Sequence, residues 1–323
     1  WCAAAGSTPD RFAALDWRKA LAALLHEPGL DYARTPKAFI DFHAVDGSAR
    51  TALEEHWRET LELGLNSLHF TISPEHEDGF RALANGLRKA LATPLAVTHS
   101  FQDPGTDTIA GDGAGGPFRD DEGRLLLRPG GHGALIHNLR NLANAADVAV
   151  IKNIDNIAHP RLWAPTLKWK RILAGVLAAV IAKGFDRPVR VCGVVRNTGE
   201  PGGGPFYVAG NTEPQIVESA QVDLTDPAQK ALFGGSTHFN PVDLVCRLTD
   251  AQGRAFDLDA FVDPSTVFMS RKTHLGRPLV ALERPGLWNG AMAHWKTVFV
   301  EVPLSTFNPV KTVLDLLKPA HQP

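Results

Sequence analysis

Short runs of β-branched and aromatic residues alternate with longer amphipathic runs along the first half of the chain, the pattern of a largely parallel sheet flanked by helices. Ala38-Phe39-Ile40-Asp41-Phe42 reads as a strand, Thr51 to Leu63 as a helix, and Leu68-His69-Phe70-Thr71-Ile72 as the next strand. The following helix begins at Ser73-Pro74-Glu75, with Ser as N-cap and Pro in the first position. Leu95 to Phe101 supplies a third strand. A helix from about Ala134 to Ala145 then leads into Asp147-Val148-Ala149-Val150-Ile151, the clearest buried strand of the pattern.

The second half is richer in β-type runs. Val189 to Val195 and Gln215-Ile216-Val217-Glu218 read as strands, and Phe256 to Phe261 is expected to pair with Thr266 to Met269 as a hairpin. A helix around Leu287 to Trp295 places Trp288, Met292 and Trp295 in the core. The strand Thr297 to Val302 and a helix from Pro309 to Leu317 close the chain. Two stretches break the pattern. Gln102 to Arg124 is rich in Gly, Asp, Pro and Thr and long for a plain connection, which marks a functional loop. Pro201-Gly202-Gly203-Gly204-Pro205 reads as a turn or lid.

Composition excludes several classes of function. The chain has 323 residues, 44% hydrophobic and 21% charged, with net charge −2. That balance carries no basic footprint for nucleic acid and no basic block for a membrane surface. The apolar run Leu173 to Ala182 is about half a membrane span and suits a buried helix. Cys2, Cys192 and Cys246 lie far apart without metal spacing, which fits a reducing, cytoplasmic setting. The first residue is Trp1 rather than Met, so the chain is expected to start inside a longer protein.

The candidate chemistry centres on Pro129-Gly130-Gly131-His132-Gly133. Three glycines at the entrance to a helix let backbone approach a ligand closely, and unpaired N–H groups there favour anions. His132 projects a ring toward whatever Gly130, Gly131 and Gly133 hold; a turn that caps the helix is the competing reading. The spacing matches neither a dinucleotide fingerprint nor a P-loop. Asp155 and Asn156 follow the strand Asp147 to Ile151, the place where open sheets bind ligands. A carboxylate there suits Mg²⁺ shared with phosphates, against the competing reading of an ordinary Asp-Asn turn. Lys37, just before the first strand, and Lys311, at the start of the last helix, are the candidate phosphate partners. Asp257-Leu258-Asp259 is a D-x-D of the kind some metal-dependent glycosyltransferases use, and an exposed hairpin is its plainer reading. H-E-x-x-H and G-x-S-x-G are absent, so zinc-protease and α/β-hydrolase readings have no support.

Several segments together resemble a bacterial family known as domain of unknown function 4301. They are Thr106 to Ala110, Pro117-Phe118-Arg119, Arg128 to Leu135, Lys152 to Asn156, Glu200 to Phe206, His238 to Asp243 and Pro285 to Gly290. More distantly, Gly130 to Gly133, Ile154-Asp155-Asn156, Val302-Pro303, Pro309-Val310-Lys311 and Asp315-Leu316-Leu317 resemble, in order, elements of UDP-sugar pyrophosphorylases. That resemblance implies a GT-A-like α/β fold: a three-layer sandwich on a mixed, mostly parallel sheet, one domain over residues 1–323, with 196–285 a β-rich sugar-side insertion. It also implies that Lys311 contacts phosphate, that Asp155 helps hold Mg²⁺, and that the glycine loop, with Asn156 and Glu218, surrounds base and sugar. The pyrophosphorylase Gly-x-Gly-Thr-Arg loop has only an eroded counterpart in Ala3-Ala4-Ala5-Gly6-Ser7-Thr8, with Arg11 beyond it.

Three functions compete on this reading. The leading one joins an NTP and a sugar 1-phosphate into a nucleotide sugar, releasing pyrophosphate. The others are a GT-A-like glycosyltransferase using Asp155 or the Asp257/Asp259 pair, and a non-catalytic nucleotide or sugar-phosphate binding module. All three have small-molecule partners and none involves nucleic acid or membrane.

Overall fold

The computed structural model describes residues 17–200 and 202–323. The eroded loop at residues 3–8, with Arg11 and Cys2, lies outside them. The first elements are α1 (Trp17–Leu25), β1 (Asp41–Val45), β2 (Ser48–Thr51), α2 (Ala52–Glu62), β3 (Ser67–Ile72), α3 (Glu77–Leu91) and β4 (Ala96–Phe101). Then come β5 (Thr108–Ile109), β6 (Leu127–Arg128), α4 (Leu135–Leu142), β7 (Val148–Ile151), α5 (Trp163–Ile181) and β8 (Val189–Arg196). The last group is β9 (Gly204–Phe206), β10 (Gln215–Val217), α6 (Pro227–Gly234), β11 (His238–Arg247), β12 (Phe268–His274), β13 (Arg277–Glu283) and β14 (Lys296–Glu301).

The central sheet has the order β14-β8-β11-β7. β14 runs parallel to β8, while β11 is antiparallel to both β8 and β7. β7, β8 and β14 therefore point the same way and deliver their carboxyl ends to one end of the sheet. The sheet is mixed, and among neighbouring strands the antiparallel pairing forced by β11 predominates. β3 and β4 form a separate parallel pair. Within 196–285, β11 belongs to the central sheet, whereas β9 with β10 and β12 with β13 form two-stranded sheets of their own.

Local chemistry explains the elements that position the site. Thr51 caps α2, its side chain accepting from the Glu54 N–H at 3.2 Å, and Glu54 offsets the positive end of the helix dipole. Leu53 and Trp57, four apart, turn inward onto Phe80, Ala84 and Leu87 of α3. α5 buries Leu173 and Leu177 against Val189, Val191, Val195 and Val245. Each such side chain contributes about 1.5–3 kcal/mol, so Leu177→Ala would cost about 2–5 kcal/mol. The apolar run within Leu173 to Ala182 is thus a core helix. Among the described residues no helix is long and apolar enough to cross a membrane. Cys192 and Cys246 are buried free thiols, and burial pushes Cys192 up to about 11, which leaves it inert.

Several expectations need correction. Residues 37–39 form a 3-10 turn and the first strand starts at Asp41, after the Ile40 N–H closes back on the Lys37 carbonyl. The strand after α4 is an edge of the sheet and only part-buried, because among the described residues no further strand pairs beyond β7. The hairpin of Phe256–Phe261 with Thr266–Met269 does not form. Phe268–His274 pairs instead with Arg277–Glu283 across a Leu275-Gly276 turn, both residues at positive φ. Leu287 to Trp295 is broken by Gly290 into a short 3-10 turn, although Met292 and Trp295 are buried as expected. The last helix reduces to the 3-10 turn Val313–Leu317, since Asp315 caps the Lys311 and Thr312 N–H groups and stops helix from forming upstream.

Candidate functional site

Three residues singled out in the sequence meet at one carboxylate. Lys37 Nζ donates to Asp155 Oδ2 at 2.9 Å and to the Val310 carbonyl at 2.8 Å. Lys311 Nζ donates to the same Asp155 oxygen at 3.0 Å. Asp155 is 7% exposed, and its other oxygen, Oδ1, is buried without a partner. Two ammonium groups thus share one oxygen, and the second oxygen is free.

Backbone pairing holds this cluster at the carboxyl end of β7. The Val310 N–H donates to the Asp155 carbonyl at 2.9 Å, and Asn156 bridges to Pro309. The Asn156 side chain accepts from the Asn308 N–H at 2.8 Å and donates to the Val242 and Thr306 carbonyls. Asn156 is therefore committed to joining residues 153–156 to residues 306–310.

The glycine loop forms the 3-10 turn Gly131–Ala134 ahead of α4. A Cβ on Gly130 would lie 2.6 Å from the Thr106 carbonyl, and one on Gly133 would lie 2.4 Å from the Pro285 carbonyl. Gly131 has φ +74°, and its Cβ would press on Glu283. The contacts that exclude side chains here come from residues 106 and 283–285. His132 Nδ1 accepts from the Leu287 N–H at 3.0 Å, which leaves the ring proton on Nε2. Burial lowers the His132 pKa against the opposing pull of Glu218 and Glu283, so the ring is neutral at pH 7. A pocket of about 320 Å³ opens beside the loop, lined by Gly133, His137, Asp259, Arg284 and Pro285 among others.

Glu218 directly follows the strand β10 and accepts from Asn240 Nδ2 at 3.1 Å. Gln221 accepts from the Glu218 N–H at 2.9 Å and from Asn289 Nδ2 at 2.9 Å. Asn240 Oδ1 and Asn289 Oδ1 are buried without partners. Gln221 was not singled out in the sequence, where an isolated amide carries no signal; Asn240 and Asn289 fall in the family-like segments His238 to Asp243 and Pro285 to Gly290, which gave them no individual role. The rings of Phe239 and Phe307, 5.2 Å apart, link this amide cluster to the strip carrying Lys311.

The D-x-D expectation fails on geometry. Asp257 and Asp259 lie at a 3-10 turn rather than in a strand, so alternation does not put them on one face. Asp259 is bound to Arg140 and lies 3.5 Å from His137. Among the described residues no group of three His, Cys, Asp or Glu side chains could hold a metal ion.

Another cluster forms at Glu55 of α2. His43 lies 3.1 Å from Glu55 and 3.0 Å from His321, with the two imidazoles stacked. Burial holds His43 down at about 3 and His321 at about 4, and raises Glu55 to about 7. The consistent proton arrangement is a protonated Glu55 donating to His43 Nδ1, and His43 Nε2–H donating to His321.

Comparison with solved structures shows a shared fold. A UDP-N-acetylglucosamine pyrophosphorylase from Trypanosoma brucei superposes with TM-score 0.55 at 16% identity, covering 88% of this chain and 61% of that one. A UDP-glucose pyrophosphorylase from Leishmania major superposes with TM-score 0.53 at 18% identity, covering 87% of this chain and 61% of that one. The chain thus spans about three-fifths of the length of these enzymes. No curated relative matches the sequence. A family model described as Domain of unknown function (DUF4301) matches residues 5–186 and 178–322, and the chain belongs to that family.

Proposed function

We propose that this member of the DUF4301 family is a sugar-1-phosphate nucleotidyltransferase built on a GT-A-like three-layer sandwich and working in the cytoplasm. The observation that carries the reading is the meeting of Lys37, Lys311 and Asp155 at the carboxyl end of β7. Phosphoryl chemistry asks a protein mainly to position groups and offset charge, and two ammonium groups on one carboxylate do both. A phosphate oxygen of the sugar phosphate attacks the α-phosphorus of the NTP. The new P–O bond forms as the bond to the bridging oxygen breaks, and pyrophosphate leaves with the electron pair. No protein nucleophile is required. On ligand binding Lys37 and Lys311 exchange Asp155 Oδ2 for phosphate oxygens, while His132, Glu218 and Asn240 face the base or sugar.

The residues fit Mg²⁺, because Asp155 Oδ1 is a buried carboxylate oxygen without a partner and Mg²⁺ commonly takes one protein carboxylate with substrate phosphates and water. When bound, the ion would neutralise charge on the phosphates. Incubating the protein with Mg²⁺, a panel of NTPs and sugar 1-phosphates should release pyrophosphate; no release across the panel sinks the catalytic reading. A second reading, a binding module without turnover, is favoured by the single carboxylate at the site. It predicts ligand binding by calorimetry that is indifferent to Asp155→Asn. The glycosyltransferase reading is weakened by the pairing of Asp259 with Arg140.

A further inference from the structure

Behind Asp155 lies a set of buried charges that the proposed chemistry does not use. Lys152 follows β7 directly, and its Nζ donates to Glu59 Oε2 of α2 at 2.8 Å. Lys170 of α5 donates to the other oxygen of the same carboxylate and lies 3.3 Å from Asp243 of β11. The Glu59 side chain is 2% exposed and that of Lys152 7%, and the four charges sum to zero. Burial alone would raise the Glu59 pKa, but Lys152 and Lys170 outweigh it and hold the carboxylate ionised. For Lys170, burial is likewise overcome by Asp243 and Glu59, which keep it charged.

Such a network is a poor device for stability. Each buried ion costs several kcal/mol in lost hydration, and apolar replacements of similar volume are often neutral or stabilising. Its value lies in geometry: a carboxylate shared by two ammonium groups accepts them only in defined positions. The network ties α2, β7, β11 and α5 together at the first residue of the stretch leading to Asp155. A second tie from α2 holds the far end of that stretch, where His56 Nε2 donates to the Ile154 carbonyl at 3.0 Å. Burial, aided by Lys152, lowers His56 to about 4, so the ring is a neutral donor at pH 7. α2 thereby grips residues 152 and 154, and Asp155 is the next residue along.

We infer that Glu59 and His56 are positioning residues that clamp residues 152–154 and so aim the Asp155 carboxylate at Lys37 and Lys311. The functional consequence rests on the phosphate-site reading; the positioning itself does not. The test uses amide hydrogen exchange on the ligand-free protein, with calorimetric binding of inorganic pyrophosphate in the presence of Mg²⁺ beside it. Glu59→Met combined with Lys152→Met removes one charge pair and leaves Lys170 with Asp243, so melting should stay near wild type. Exchange at the Asn156 and Val310 amides should nevertheless accelerate about tenfold, and pyrophosphate binding should weaken about fivefold. Lys152→Arg alone, which keeps the charge facing an intact Glu59, should leave both near wild type. His56→Leu severs the second tie without touching the charges and should loosen the same two amides; it carries the test if the double variant fails to fold. Unchanged exchange at Asn156 and Val310 in a folded double variant, or in His56→Leu, overturns the inference. A wild-type protein that does not bind pyrophosphate while the exchange pattern holds overturns the phosphate reading and leaves the positioning role supported.

Discussion

The Asp155 cluster and the glycine loop were both candidate ligand sites, yet they are built on opposite principles. At Asp155 two lysines crowd one oxygen and leave the other without a partner, so the site holds unspent polar capacity. At the glycine loop the missing side chains are accounted for by the protein itself: the Thr106, Arg284 and Pro285 backbone and side-chain atoms lie where Cβ atoms would be. Absence of a side chain can serve a ligand or a neighbouring strand, and only the surroundings tell which. Here the loop is first a packing joint, and the contribution proposed for it at a ligand site comes through His132.

The sharpest way to break that contrast is to add a methyl group. Gly133→Ala must displace the Pro285 and Arg284 carbonyls, and Gly131→Ala also strains a backbone at φ +74°; each should cost about 2–4 kcal/mol in a denaturant melt. Gly175→Ala in α5 meets nothing within 4 Å and should instead stabilise by about 0.5–1 kcal/mol. Glycine-loop variants that melt like wild type while losing ligand would restore the ligand explanation.

Charge changes at Asp155 should leave stability nearly alone and move binding. Lys311→Met should weaken pyrophosphate binding about tenfold, because an ammonium that is 60% exposed supports little of the fold. Asp155→Asn should have the opposite sign without metal: both lysines lose their counter-charge, and metal-free pyrophosphate affinity rises severalfold. The same variant should lose any gain from Mg²⁺. A fall in metal-free affinity would show that the carboxylate aims the lysines rather than occupying them.

Acid should separate stability contributions by their sign. His43, His56 and His321 are held near 3, 4 and 4 by burial, against about 6.5 unfolded. The unfolded chain therefore binds protons first, and stability drains as pH falls from about 6.5 toward 4. Glu55, raised to about 7, acts the other way: the stability of its protonated form is lost as pH rises through about 4.5 to 7. Urea melts should show stability rising between pH 4.5 and 6.5, and Glu55→Gln should steepen the rise. A flatter curve in that variant would refute the assignment. The smallest effect is expected at Asp259→Asn, whose partner is Arg140; Mg²⁺ dependence of pyrophosphate binding should not change.

Much of the architecture was legible because it follows from short-range chemistry. The helix expected from Thr51, the strand at Leu68 to Ile72 and the β-branched run of β8 each state their own structure. Errors fell where distant atoms outvote local preference. The hairpin from Phe268 to Glu283 turns at Leu275, a residue that sequence does not offer for positive φ. The segment 309–317 has helical composition, but Pro309 and Val310 pair with Asp155 and Asn156, so only Val313–Leu317 winds, as a 3-10 turn.

Residue types and their order were enough to single out Lys37, Asp155 and Lys311, because a carboxylate past a strand end and lysines at the starts of expected elements are local signals. Residues as far apart as 37 and 311 share the Asp155 carboxylate only because the stretch after β7 and the strip 306–310 zip together beyond the sheet. The same closure decided that Asn156 is spent on backbone groups and that the glycines make room for residues 283–285. A sequence names the groups able to bind; which of their atoms remain unpaired depends on every neighbour, and that was settled by the tertiary fold.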